Sequence, residues 1–105
     1  MKSLNVDSSS ILYGIMVWWN ECEEATRYKV ELYLNKNSSL QRLAVETVDN
    51  NHFYYTFTGL AAQDYTIEVV AENSVGETVA QGTCSCKVSD FITKATKPQV
   101  DTTFW

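Results

Sequence analysis

The stretch from Gly59 to Gly76 constrains the fold of this chain more than any other. Large apolar side chains at its odd positions alternate with mostly polar side chains at its even positions: Tyr65, Ile67, Val69 and Ala71 against Thr66, Glu68, Val70 and Glu72. Period-two alternation between turn-forming residues predicts a strand with one buried face. A Tyr that opens such a strand, five residues after Leu60, is typical of the corner in β-sandwiches where the Tyr hydroxyl bonds upstream backbone.

Six other short strands are predicted around this one, with turn signals near residues 8, 22, 37, 50, 62 and 75. They cover residues 2–7, 11–19, 28–32, 40–48, 52–57 and 78–88. No gap between them is long enough for the helical crossovers that an α/β fold needs. We therefore expect an all-β, seven-stranded antiparallel sandwich over residues 1–90, followed by a tail or linker at 91–105. Its core is predicted to contain Trp19, Tyr28, Val30, Leu32, Tyr55, Phe57, Leu60, Ile67 and Val69.

Three short motifs, in this order, resemble the fibronectin type III family: Val17-Trp-Trp19, Tyr28-Lys-Val30 and Tyr55-Thr-Phe-Thr-Gly-Leu60. The resemblance covers roughly residues 11–90 and implies a β-sandwich that serves as a module of a larger protein. In the family the corner Tyr usually comes six residues after the Leu, with a Pro between them. Here Tyr65 comes five residues after Leu60 and no Pro lies between them, so a corner turn of another shape is expected. It also lacks Arg-Gly-Asp, so the integrin contact of some members does not carry over.

Composition limits the classes of partner. Eight basic and thirteen acidic residues among 105 give a net charge of −5, which disfavours nucleic acid and anionic membrane surfaces. No 18-residue apolar run is present, so membrane insertion is not predicted. The first ten residues lack the apolar segment of a signal peptide, which fits an intracellular protein or an internal piece of a longer chain. We favour an extracellular or surface protein of which this chain is a part.

No catalytic or cofactor-binding group stands out in the sequence. His52 is the only histidine, and no Gly-x-Ser-x-Gly motif accompanies it, so no enzyme is predicted. The glutamates near residues 21–24, 72 and 77 are interpreted as a solvated acidic tip, because no calcium-loop pattern surrounds them. No metal or other cofactor is expected.

The cysteines are predicted to be free thiols. Cys84 and Cys86 lie two residues apart on a strand, about 6.6 Å between Cα atoms, with side chains that run parallel rather than converge. Both are expected to point inward as small hydrophobes. A bridge from Cys22 to either one requires the last strand to pass the turn near residue 22.

The candidate functional residues are Leu12, Met16, Trp18 and Tyr54. If Val17 and Trp19 point inward, alternation directs these four outward on two neighbouring strands. These four residues are a candidate docking face for a protein partner of unknown identity or for a second copy. The tail, with Phe91, Ile92, Val100, Phe104 and Trp105, is the other candidate cover. The predicted function is a protein-interaction or adhesion module, and the alternative is a structural spacer without a ligand of its own.

The opposite sheet is predicted to present a charged, hydrated face. There Arg27 and Lys29 are expected near Glu68 and Glu72 on an adjacent strand. Such exposed cross-strand pairs fix the register more than they add stability.

Overall fold

A computed structural model describes residues 2–89 of the chain, and these form two packed β-sheets. The strands are β1 (Lys2–Ser3), β2 (Asp7–Ile11), β3 (Gly14–Trp18), β4 (Arg27–Lys36), β5 (Ser39–Asp49), β6 (Tyr54–Thr58), β7 (Asp64–Glu72) and β8 (Thr78–Lys87). One sheet has the order β1-β8-β7-β4-β5, and the other has the order β2-β3-β6. The all-β sandwich is confirmed, with eight strands instead of seven.

The N-terminal quarter of the chain departs from the prediction. The expected strand at 11–19 is divided by a two-residue turn at Leu12 and Tyr13, and residues 7–10 form β2 instead of a turn. The serines of β2 gave no apolar alternation by which to recognise a strand. The first strand is also shorter than predicted, because only β1 pairs with β8, in parallel, before the chain crosses to the other sheet.

The core lies between the two sheets and contains the predicted residues. Seven of the nine are buried: Trp19, Tyr28, Val30, Leu32, Phe57, Ile67 and Val69. Tyr55 and Leu60 are only partly buried and pack against the edge of the core. The Trp19 ring lies 5.5 Å from the Tyr28 ring, which in turn lies 6.0 Å from Phe53. Truncation of Trp19 therefore removes one end of an aromatic cluster that is centred on Tyr28.

The corner before β7 forms although it is one residue short of the family spacing. The Tyr65 hydroxyl donates a hydrogen bond to the carbonyl oxygen of Ala61 at 2.8 Å. Gly59 takes a φ of 70°, a conformation that costs glycine little, and the chain turns there without a Pro. Burial raises the pKa of Tyr65, which keeps the hydroxyl protonated as the donor.

The outer face of the five-stranded sheet carries an ionic cluster. Arg27 Nε lies 2.9 Å from Glu72 Oε1, and Lys29 Nζ lies 3.4 Å from Glu72 Oε2. The expected pairing with Glu72 is confirmed, whereas Glu68 lies directly across from Glu31 and has no ion pair among the described residues. Glu31 is only 7% exposed and accepts a hydrogen bond from the Tyr33 hydroxyl, so this face is less hydrated than predicted.

The two cysteines of β8, Cys84 and Cys86, point toward the core and are half-buried. Cys84 Sγ donates to Ser8 Oγ at 3.3 Å, and Cys22, Cys84 and Cys86 are all free thiols. Cys22 is more buried than its acidic turn suggested, because its backbone amide donates to the hydroxyl of Tyr28. The inward alternation of β8 is therefore as predicted.

Candidate functional site

The outward side of the three-stranded sheet presents large apolar side chains in two adjoining rows. Strand register places Trp18 directly across from Asp7 on one side and from Tyr54 on the other. The next row contains Ser9, Met16 and Thr56. We call these six residues the Trp18 face. Directly opposed side chains in antiparallel strands have Cβ atoms about 4.5–5.5 Å apart, so each row is a continuous surface.

Alternation along β3 explains why this face is apolar on the outside. Ile15 and Val17 are fully buried, and the residues between and after them must therefore point to solvent. Trp18 is 39% exposed, whereas the adjacent Trp19 is 4% exposed and bonds through its backbone amide to Phe53. The register predicted for this strand is correct at its second half, where it decides the orientation of the two Trp residues.

Three of the four predicted site residues belong to this face, and the fourth does not. Met16, Trp18 and Tyr54 are 41%, 39% and 58% exposed, respectively. Leu12 is also exposed but lies in the turn between β2 and β3 instead of on the strand. Its neighbour Tyr13, expected inward, is exposed too, because the turn gives it a φ of 56° and interrupts the alternation. Sequence alternation alone could not show that break.

An open groove of about 600 Å³ runs from the Trp18 face around the crossover that follows β1. Its lining includes Asp7, Trp18, Asn5, Asn20 and Thr83. The amide of Asn5 donates to Asn20 Oδ1 at 2.6 Å, which fixes the crossover against the end of β3. Among the described residues that line the groove, only Asp7 is charged, and its charge is negative.

Some titratable groups elsewhere in the described residues are paired with one another. His52 Nδ1 lies 2.6 Å from Asp49 Oδ1, and this contact holds the pKa of Asp49 below its ordinary value. Lys2 Nζ lies 2.8 Å from Glu24 Oε2, which lowers the pKa of that glutamate. Within residues 2–89 no three His, Cys, Asp or Glu side chains converge as metal ligands would. The same residues include no helix long and apolar enough to cross a membrane.

A second set of exposed apolar residues lies on β5, the edge strand of the five-stranded sheet. Leu40, Leu43 and Val45 are 55%, 45% and 39% exposed. A register shift between β4 and β5 falls at Leu43, so the strand is irregular there. Bulges and charged neighbours such as Arg42 and Glu46 are typical protections of an edge strand against pairing with other chains. These residues therefore form a weaker candidate than the Trp18 face.

Comparison with known proteins identifies the fold but no close relative. No family model and no curated protein matches the chain. Among solved structures, the FN5 domain of Drosophila Lar superposes with a TM-score of 0.65 at 18% identity, covering 83% of this chain and 95% of that one. The FN1–FN3 domains of chicken CNTN1 give 0.59 at 19% identity, covering 82% of this chain and 32% of theirs. An Fn3-like protein from Clostridium thermocellum gives 0.55 at 20% identity, with 83% and 88% covered.

The strand order and these likenesses define an immunoglobulin-like β-sandwich. Within that class, the chain has the fibronectin type III fold, as the sequence motifs indicated. The fold does not determine the function, which depends on sites carried by the fold.

Proposed function

We propose that this chain is a non-catalytic protein-interaction module that docks a protein partner through the Trp18 face. The observation that carries the proposal is the exposure of Met16, Trp18 and Tyr54 side by side on one sheet. Trp and Tyr are the residues most enriched at the energetic centres of protein interfaces. In this proposal the chain serves as an interaction or adhesion module of a larger extracellular or surface protein.

The two faces of the sandwich differ in a way that favours this side. On the five-stranded sheet, Glu72 forms ion pairs with Arg27 and Lys29, and Lys29 Nζ also lies 3.8 Å from Glu31 Oε2. On the three-stranded sheet, strands β2, β3 and β6 contain no Lys or Arg, so no side chain of these strands neutralises Asp7. Contiguous apolar surface of this kind marks interaction sites on soluble proteins.

Site-specific photo-crosslinking in the full chain tests the proposal. A photo-reactive phenylalanine analogue at Tyr54 is expected to capture a defined partner protein in the source cells. The same analogue at Val45 is the matched control. Val45 lies on β5 of the other sheet, and its side chain is exposed to solvent to the same extent as that of Trp18. Capture from Tyr54 should be lost when Trp18→Ser is added, because that substitution removes the central ring of the face without opening the core.

Three other outcomes contradict partner docking. Equal capture from Tyr54 and Val45 would mean that the contacts are unspecific. Crosslinks from Tyr54 to residues 91–105 of the same chain would show that the tail covers the face; that tail, predicted as the alternative cover, lies outside the described residues. No crosslink beyond background would favour the structural spacer.

A further inference from the structure

The row of the Trp18 face that contains Asp7 combines a carboxylate with two aromatic rings. Asp7 opposes Trp18, and Trp18 opposes Tyr54, so all three side chains project from the same side of the sheet. All three are exposed. Asp7 and Trp18 also line the open groove beside the face. A ligand group placed above Trp18 would therefore contact the carboxylate and the indole together.

The charge of Asp7 is not balanced within the described part of the chain. Asp7 Oδ1 accepts a hydrogen bond from the amide of Ser8 at 2.8 Å, and no Lys, Arg or His of residues 2–89 forms an ion pair with it. Some other acidic side chains of residues 2–89 do have such a partner, as Glu24 has Lys2 and Glu72 has Arg27. The net charge of −5 adds to the attraction for a basic partner.

We propose that the Trp18 face recognises an arginine side chain of the partner, with the guanidinium stacked on Trp18 and hydrogen-bonded to Asp7. This inference rests on the proposed docking function and specifies its partner as a basic peptide segment. A guanidinium is planar, stacks on aromatic faces and donates a fork of N–H groups that fits a carboxylate. Cations also bind over Trp and Tyr rings by electrostatic attraction to the ring face. Tyr54 supplies the second aromatic wall.

Titration of the full chain with two short peptides tests the site, with backbone and indole resonances followed by NMR. The probes are acetyl-Gly-Arg-Gly-amide and its counterpart with citrulline, which has nearly the same shape without the charge. The arginine peptide is expected to shift the Trp18 indole N–H and the Asp7 and Tyr54 amides saturably. The citrulline peptide should bind at least threefold more weakly, in line with the strength of exposed cation–π contacts and ion pairs.

Two variants separate the contributions. Asp7→Asn and Trp18→Leu should each weaken arginine binding about threefold, and Asp7→Asn should leave citrulline binding unchanged. Glu46→Gln, which removes an exposed carboxylate from β5 in the other sheet, is the matched control and should have no effect. All three changes lie on exposed positions, so spectra like those of the parent will confirm that each variant is folded.

The outcomes distinguish this inference from the proposed function. Equal binding of both peptides, or arginine shifts confined to the acidic turn at residues 21–24, would overturn the arginine site. If Tyr54 captures a partner while neither peptide binds, docking stands and the arginine site fails. If arginine binds selectively and Tyr54 captures nothing, the cation site stands without the docking function.

Discussion

Replacement of Tyr65 by Phe tests the corner that closes the sandwich before β7. The substitution removes the hydroxyl that donates to Ala61 at 2.8 Å and leaves a ring that is 2% exposed in place. No cavity of side-chain size is created, so the loss is confined to one hydrogen bond. A typical intramolecular hydrogen bond contributes about 0.5–1.5 kcal/mol net. For a domain of this size, 1 kcal/mol corresponds to a fall of about 4–8 °C in the melting temperature.

Urea unfolding followed by Trp fluorescence measures this difference directly. Tyr54→Phe is the control, because the Tyr54 hydroxyl makes no hydrogen bond with the described residues and its ring is 58% exposed. We expect a loss of about 1 kcal/mol for Tyr65→Phe and less than about 0.3 kcal/mol for Tyr54→Phe. Equal effects of the two substitutions would refute the reasoning, because the corner hydrogen bond would then contribute nothing to stability.

Four further predictions follow from the same structure. Trp19→Ala should destabilise the fold by about 3–5 kcal/mol in urea unfolding, whereas Trp18→Ala should cost far less, and equal costs would contradict the register. Burial opposes ionisation of Glu72, but its two cationic neighbours hold its pKa below the ordinary value of a glutamate. The ionised Glu72 should stabilise the fold fully above about pH 4.5, and this contribution should be lost as the pH falls through the lower pKa of the folded state. Glu72→Gln should therefore flatten the acid side of a plot of unfolding free energy against pH. An unchanged plot would argue against the ion pairs. The hydrogen bond to the Glu31 carboxylate, together with burial, raises the pKa of Tyr33 to about 12. Tyr33→Phe should therefore remove the component of a spectroscopic tyrosine titration that appears at the highest pH. Loss of a component at lower pH would contradict that contact. Thiol counting of the denatured, unreduced chain should find three reactive cysteines, and one would reveal a bridge.

The sequence predicted the parts of the fold where apolar alternation is strong. From Tyr28 to Leu32 and from Tyr65 to Ala71, every second side chain is buried, and the two strands pair as expected. Alternation of this kind determines orientation, because a shift of one residue would exchange the buried and exposed faces. The partnership of Arg27 with Glu72 follows from that register.

The same reasoning failed where the pattern is carried by polar residues or interrupted by a turn. Asp7 to Ser10 has no apolar alternation, yet β2 forms because β3 provides hydrogen-bonding partners along its edge. Leu12 and Tyr13 continue an apolar run in the sequence, so the apolar pattern does not mark the two-residue turn that they form. The sequence accordingly predicts Asp7 as the last residue of the first strand, and its position beside Trp18 is given only by the strand pairing.

The composition of the Trp18 face is not explained by folding alone. Ser9 and Thr56 flank Met16 in one row, which shows that small polar side chains fit the sheet at these positions. A cross-strand aromatic pair such as Trp18 with Tyr54 contributes roughly 0.2–1 kcal/mol, so it helps the register only modestly. Exposed aromatic rings also favour unwanted association, which polar residues would avoid at little cost. Under the proposed function, a bound partner would cover these rings and balance the neighbouring carboxylate, so the proposal accounts for a surface that the stability of the sandwich does not require.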